Sequence, residues 1–318
     1  METKWLEDFV SLAETRSFSR SAQLRHVTQP AFSRRIQSLE AWAGVDLVDR
    51  SSYPTTLTPA GQTLYDQALE LLQSLHNARA MLRGHGSAAH DVVEFAVPHT
   101  LAFTFFPAWV ADWRAHFQPI KSRLSALNVH DAVMRLVEGG CDLLIAYHHA
   151  AQPLQLNADR YDMLVLGQEL LAPYARPDAD GQPLFSLPGS AAQPLPYLGY
   201  APGAYLGGVT DALLQQAGQP IHLERVYETD MAEGLKVMAA EGHGIAFLPS
   251  SAVRKELAAG TLVPVPAPPG ATPTPMAVAM EVRAYREKPG PRSKRSALEL
   301  WDYLAARGPG PALGGQGA

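Results

Sequence analysis

The chain has 318 residues, 47% hydrophobic and 18% charged, with a formal net charge of −5. This length predicts two or three domains, and no apolar run approaches the ~18 residues that a membrane span needs. The acidic start, Met1-Glu2-Thr3-Lys4-Trp5, is unlike a secretory signal, so a cytoplasmic location is expected. Cys141 is the single cysteine, which excludes an intrachain disulfide and a cysteine-built zinc cluster.

Charge is uneven along the chain. Residues 16–50 hold six arginines (Arg16, Arg20, Arg25, Arg34, Arg35, Arg50) against Glu40, Asp46 and Asp49. A basic patch on an acidic chain suits a polyanion, because neutralised phosphates release counterions. A solvated arginine-rich face is the competing explanation.

Trp5, Phe9, Leu12 and Ala13 recur at helical spacing and predict a first helix. Ser17 or Ser19 can cap a second, short helix through about Arg25. Thr28, with Pro30 in the first turn, opens a third, and Gly44 ends it. Phe32, Ile36, Leu39 and Ala43 line one face of that helix. The other face presents Gln29, Ser33, Arg34 and Gln37, groups that can bond base edges or phosphates from a groove-bound helix. Val45–Leu57 reads as a small β-wing. A three-helix protein-interaction module would show the same periodicity.

The run Ser19-Arg20-Ser21-Ala22-Gln23-Leu24-Arg25-His26-Val27-Thr28-Gln29-Pro30-Ala31-Phe32-Ser33-Arg34-Arg35-Ile36 resembles the winged helix-turn-helix of LysR-type regulators. The likeness continues through Gly44, Leu47, Arg50 and Leu57-Thr58-Pro59-Ala60-Gly61. Val48 and Tyr53-Pro54 depart from the family's usual wing. The resemblance implies binding to double-stranded operator DNA through Ser19, Thr28, Gln29, Pro30, Ser33, Arg34, Arg35, Gln37 and Arg50.

Thr58 and Pro59 then open a long helix as N-cap and first turn. Leu64, Ala68, Leu71, Leu75, Ala78 and Leu82 form a narrow stripe at spacings of three and four, which suits pairing with a second chain. The resemblance implies a homodimer or a dimer-of-dimers tetramer. Gly84 and Gly86 are expected to form a hinge.

From residue 91 strands and helices alternate, as in parallel α/β sheets. Strands are expected at Val92–Val97, Arg123–Leu127, Asp142–Tyr147, Tyr197–Tyr200, Leu223–Tyr227 and Gly244–Leu248. Helices are expected at Leu101–Phe117, from Asp131 through Glu138, around Val209–Ala217, and from Asp230 to Ala240. Crossings near 161–170 and 266–281 would join two subdomains. The fold class is therefore α/β: a winged helix-turn-helix over 1–57, a linker helix and hinge over 58–90, and an effector domain over 91–318. The last would divide into 91–161 with 267–307, and 162–266. By resemblance the effector domain is like a periplasmic binding protein. The tail from Gly308 is expected to be disordered.

Ligands in open α/β sheets bind beyond the carboxyl ends of strands. That rule selects His99, Thr100, Leu101, Asn128, Tyr147, His148, Tyr200, Ala201, Thr229 and Met231 for a small-molecule effector. His99 and Thr100 begin a helix, which favours an anion. His148-His149 on an extended segment would point to opposite sides, and no metal or cofactor is expected. No phosphate loop or nucleophile elbow is present, which speaks against an enzyme. A ligand-binding module or an enzyme without DNA binding is the competing class, and the Gln29–Arg34 face opposes it. The opening residues, Arg16–Ser21 and Ser52–Thr55 look like the branch of the family that contains the hypochlorite-responsive regulator. That branch is associated with methionine oxidation, and Met231 falls where it would place a sensing methionine. Met134, Met163, Met238, Met276 and Met280 are expected in the core.

Overall fold

The computed structural model describes residues 2–51, 54–80, 82, 92–154, 156–268, 276–290 and 293–310. The wing tip at Ser52 and Tyr53, the expected hinge at Gly84–Gly86 and the tail beyond Gly310 lie outside the described residues.

Three helices build the first unit: α1 (Thr3–Thr15), α2 (Phe18–Leu24) and α3 (Gln29–Ala43). Ser17 caps α2 by accepting the Arg20 N–H. Gly44 closes α3 at φ 72°, a left-handed turn that suits a residue without Cβ. Leu6, Phe9, Val10, Leu12, Phe32, Ile36 and Leu39 are buried together. A charge sits inside this core. Asp8 is fully buried and accepts from Arg25 Nε at 2.8 Å and Arg35 Nη1 at 3.0 Å, so it ties α1 to both later helices. Glu40 does the same for the wing. Its carboxylate accepts from the N–H groups of Leu47 and Val48 and from Arg50 at 2.6 Å.

The wing is shorter than Val45–Leu57. Its strands are β1 (Val48–Asp49) and β2 (Thr56–Leu57), paired antiparallel. Val45 is exposed and precedes the ladder. Thr58 then caps α4 (Pro59–Ala80), accepting the Gly61 N–H at 3.0 Å while donating to Asp46 O at 2.8 Å. The helix spans about 33 Å at 1.5 Å per residue. Ala68, Leu69 and Leu72 are buried, and α4 packs on α1, whereas Leu71, Leu75, Ala78 and Leu82 are exposed.

The remaining described residues form one nine-stranded sheet. In its first lobe β3 (Val92–Pro98) runs parallel to both β4 (Lys121–Leu127) and β5 (Leu143–His148). In the second, β7 (Leu195–Tyr200) runs parallel to both β8 (Leu223–Thr229) and β9 (Ile245–Pro249). Two long strands join the lobes, β6 (Tyr161–Ala175) and β11 (Val278–Glu287). Both run antiparallel to their neighbours, so the complete sheet is mixed rather than parallel. The short β10 (Val263–Pro264) adds to β6.

Helices cover the sheet: α5 (His99–Thr104), α6 (Phe106–His116), α7 (Val129–Val137), α8 (Tyr205–Gln215), α9 (Ala232–Ala240), α10 (Arg254–Ala259) and α11 (Arg295–Arg307). The single helix expected over Leu101–Phe117 is two. Pro107 falls in the first turn of α6, and its ring and missing N–H do not let the α5 ladder run on. Asn128, not Asp131, caps α7. Met231, not Asp230, is the cap position of α9. The expected disordered tail begins in contact, since Gly310 N–H donates to Leu166 O at 2.9 Å.

Candidate functional site

The first candidate surface is the amino-terminal half of α3. Phe32, Ile36 and Leu39 anchor the helix at zero exposure. On the opposite side Gln29, Pro30, Arg34 and Gln37 are exposed, and Ser33 is half-buried. Thr28 is exposed and makes no side-chain cap bond, contrary to its expected role. Ser19, from α2, donates to Gln29 Oε1 at 3.0 Å, so the two amino-terminal ends present one polar surface. Among the described residues Arg34 Nε reaches only the Pro30 carbonyl, at 3.3 Å. Two expected contact residues are engaged elsewhere. Arg35 holds Asp8, and Arg50 holds Glu40 while lying over the Phe18 ring at 5.9 Å.

The second candidate is the cleft between the lobes. His148, at the carboxyl end of β5, pairs with Glu281, and Glu281 pairs with Gln168 of β6. Pro249, at the carboxyl end of β9, pairs with Leu171 of the same strand. The carboxyl ends of both lobes therefore converge on Gln168–Leu171, the crossing point where such sheets take ligands.

Around this point His99 and Thr100 are half-buried at the start of α5. Tyr147 is 1% exposed, and its hydroxyl lies beside the Thr104 and Ser251 hydroxyls. Burial drives its pKa well above the usual tyrosine value. His148 is half-buried with its Nδ1 unpartnered among the described residues, and burial lowers its pKa. Across the cleft Tyr200 donates to Phe247 O at 3.0 Å, Ala201 is half-buried, and Thr229 Oγ1 accepts the Met231 N–H at 3.3 Å. Met231 is 40% exposed.

Two expected effector contacts do not join this group. The Leu101 side chain is fully buried in the lobe's core. Asn128 is consumed as a cap, with Oδ1 accepting from Asp131 N–H and Nδ2 donating to Asp131 Oδ2. Both expectations came from the strand-end rule alone, which does not see what a side chain does locally.

The sequence reading missed Glu169. It is 2% exposed on β6 and accepts from Ser250 Oγ at 2.8 Å, from Ser251 N–H at 3.2 Å and from the Ser251 hydroxyl. A lone acid inside the apolar run Leu164–Tyr174 was the available signal. A strap also crosses between lobes: His149 N–H donates to Tyr205 Oη at 2.7 Å. Among the described residues no three His, Cys, Asp or Glu side chains gather into a metal set, and no helix is long and apolar enough to cross a membrane.

Residues 3–62 match the bacterial regulatory helix-turn-helix proteins of the LysR family, and residues 87–307 match the LysR substrate binding domain. The transcriptional regulator YjiE of Escherichia coli K12 is 34% identical over 264 residues, 83% of each chain. The full-length structure of HypT from Salmonella typhimurium, a hypochlorite-specific LysR-type regulator, superposes with TM-score 0.57 at 30% identity, covering 96% of this chain and 98% of that one. DarR of Vibrio fischeri, solved in complex with DNA, gives TM-score 0.56 at 28% identity over 100% and 99% of the two chains.

Proposed function

The chain belongs to the LysR family of DNA-binding transcriptional regulators, and from that premise we propose which residues read DNA, which pair the chains and which receive the signal. It is a regulator with an effector-binding domain, not an enzyme. The DNA-reading surface is the exposed α3 face of Gln29, Ser33, Arg34 and Gln37, flanked by Ser19, Thr28 and Pro30. Arg35 and Arg50 act behind it by holding the fold. The observation that carries this reading is the sidedness of α3, with three apolar residues at zero exposure opposite a polar face. Arg34 contacts bases or phosphate, because its guanidinium is exposed and bonded only to one backbone carbonyl.

Residues 1–57 form the DNA-binding head, 58–90 the linker, and 91–318 the effector domain. Two copies pair along the exposed Leu71, Leu75 and Ala78 stripe of α4, continued by Leu82 beyond its end. A small molecule binds in the cleft at His99, Thr100, Tyr147, His148, Tyr200, Ala201 and Thr229, and shifts the population of lobe arrangements. The half-buried imidazole of His99 and hydroxyl of Thr100 support a polar ligand there. Met231 favours a second mode of sensing: its exposed thioether is open to an oxidant, and HypT is hypochlorite-specific.

The test is a salt-controlled titration of upstream DNA from the protein's own locus. Arg34→Ala is expected to weaken binding by about 1–3 kcal/mol without unfolding the head. Wild-type affinity in that variant would remove Arg34 from the surface.

A further inference from the structure

The two segments that line the cleft are tied to each other as well as to their own lobes. In the first lobe β5 ends at His148 and the chain turns at once. Gln152 N–H donates to His149 O at 3.0 Å, and Ala151 N–H donates to His149 Nδ1 at 3.2 Å. In the second lobe β7 ends at Tyr200, and a short turn, closed by Ala204 N–H on Ala201 O at 3.1 Å, leads into α8. Tyr205 opens that helix, and its hydroxyl oxygen accepts the His149 N–H at 2.7 Å. Gly208, on the same helix, leaves room for the Gln152 side chain: a Cβ there would lie 2.4 Å from Gln152 Nε2. Residues 149–152 thus form a strap from the first lobe laid across the start of α8.

A second tie joins the lobes on the opposite face of the sheet. Register fixes the faces. Tyr147 pairs with Val282, so these two share a face, and Arg283 and Tyr285 point the other way. Tyr205 lies near Arg283 and Tyr285. The Tyr147 hydroxyl instead lies beside the hydroxyls of Thr104, from α5 of the first lobe, and Ser251, from the 3-10 turn Ser250–Val253 of the second. Helix α5 packs on that turn, and Glu169 anchors the turn to β6 through both serines.

The two ties differ in strength. One is a packed helix backed by a buried carboxylate, whereas the other depends on one hydrogen bond and a glutamine side chain. A hinge about β6 and β11 therefore pivots on the packed face and opens on the face of the strap. We propose that the strap is a latch on the cleft: the lobes part and admit a ligand only when the bond between His149 and Tyr205 breaks. The strength of that bond then sets the fraction of molecules able to bind, and with it the apparent affinity. This deepens the reading of the cleft as a small-molecule site. Its test adds no effector, so it stands or fails separately from that reading.

The test measures entry into the cleft of the full-length protein. Ala201→Cys places a thiol on the half-buried turn between Tyr200 and Tyr205, and its rate of modification by N-ethylmaleimide is followed by mass. Cys141, the native thiol, reacts slowly because burial pushes its pKa up. Tyr205→Phe keeps the ring and removes the acceptor. It is expected to raise the rate at Ala201→Cys about five-fold or more, the factor that the net loss of one hydrogen bond gives. Lys121→Cys, on the exposed outer edge of the first lobe, is expected to react at the same rate with and without Tyr205→Phe. Circular dichroism confirms folding. If Tyr205→Phe does not fold, Gly208→Leu, whose Cβ displaces the Gln152 side chain, answers by the same criteria. A rate at Ala201→Cys that stays within about two-fold overturns the proposal. An equal rise at Lys121→Cys overturns it too, since the substitution would then loosen the whole domain.

Discussion

At the scale of single residues, the head depends on one close approach. A Cβ at Gly61 would sit 1.9 Å from Leu47 O, the carbonyl that also accepts the Thr58 N–H. Gly61→Ala must therefore push α4 off the wing, and a loss of about 1–3 kcal/mol is expected from overpacking. Urea denaturation checks this, and an unchanged midpoint would mean the wing absorbs the methyl group. The α3 surface was legible because helical period separates Gln29, Arg34 and Gln37 from Phe32 and Ile36 within one short window. Asp8 and Glu169 were not. Their partners lie 17 and 27 residues away for Asp8, and 82 for the Ser251 contacts of Glu169, so neither acid could be told from a solvated charge. The strand-end rule could not tell that Asn128 caps its own helix.

At the scale of elements, α4 has two faces with different tasks. Ala68, Leu69 and Leu72 are buried in a core shared by the head and the first lobe, and the exposed Leu71 and Leu75 remain available for a second chain. Leu71→Asp is expected to disrupt the proposed dimer, because pairing would bury an unpartnered charge. In the monomer it costs little, since Leu71 is 48% exposed. Light scattering reads the result, and an assembly of unchanged mass would locate the pairing surface elsewhere. The sequence stripe included Ala68 with the pairing residues because a spacing of three and four does not say which neighbour a residue meets. The long strand β6 runs through Gly167 and Pro173 to Ala175, further than the crossing near 161–170 read from the sequence. The terminal helix α11 was missed, although Leu300, Trp301 and Leu304 stand at helical spacing on its buried side.

At the scale of the whole molecule, two titrating groups on or beside α7 face the head and respond to pH in opposite senses. Burial, with Glu7 of the head next in effect, raises Glu138 to about 7 from 4.5; Arg25 and Arg135 oppose it. The folded state then keeps a proton that the unfolded chain has released. This contribution to stability falls as pH rises through that window and stays lost above it. Burial, reinforced by Arg25, Arg20 and His26, lowers His130 to about 4 from 6.5. Here the unfolded chain binds the extra proton, so stability rises with pH between those values. Glu138→Gln is expected to flatten the fall and His130→Gln the rise in thermal midpoint across pH 4–7. Variant profiles that match wild type would show that neither group is held as described. In the cleft, Thr100→Val is expected to keep basal operator binding and blunt the effector-dependent transcriptional response. Met231→Gln, a polar mimic of the sulfoxide, switches the regulator on without added signal if oxidation is the trigger. An intact response to every stimulus in Thr100→Val would remove that residue from the site.

Because α4 packs on α1 and on the wing strand β2, the head cannot swivel freely about its own helix. The two turn together as one lever. A tilt of about 6° over a helix about 33 Å long carries the far end through about 3.4 Å, the rise of one base pair. A small angular change at the effector domain therefore becomes a whole step of register along the operator.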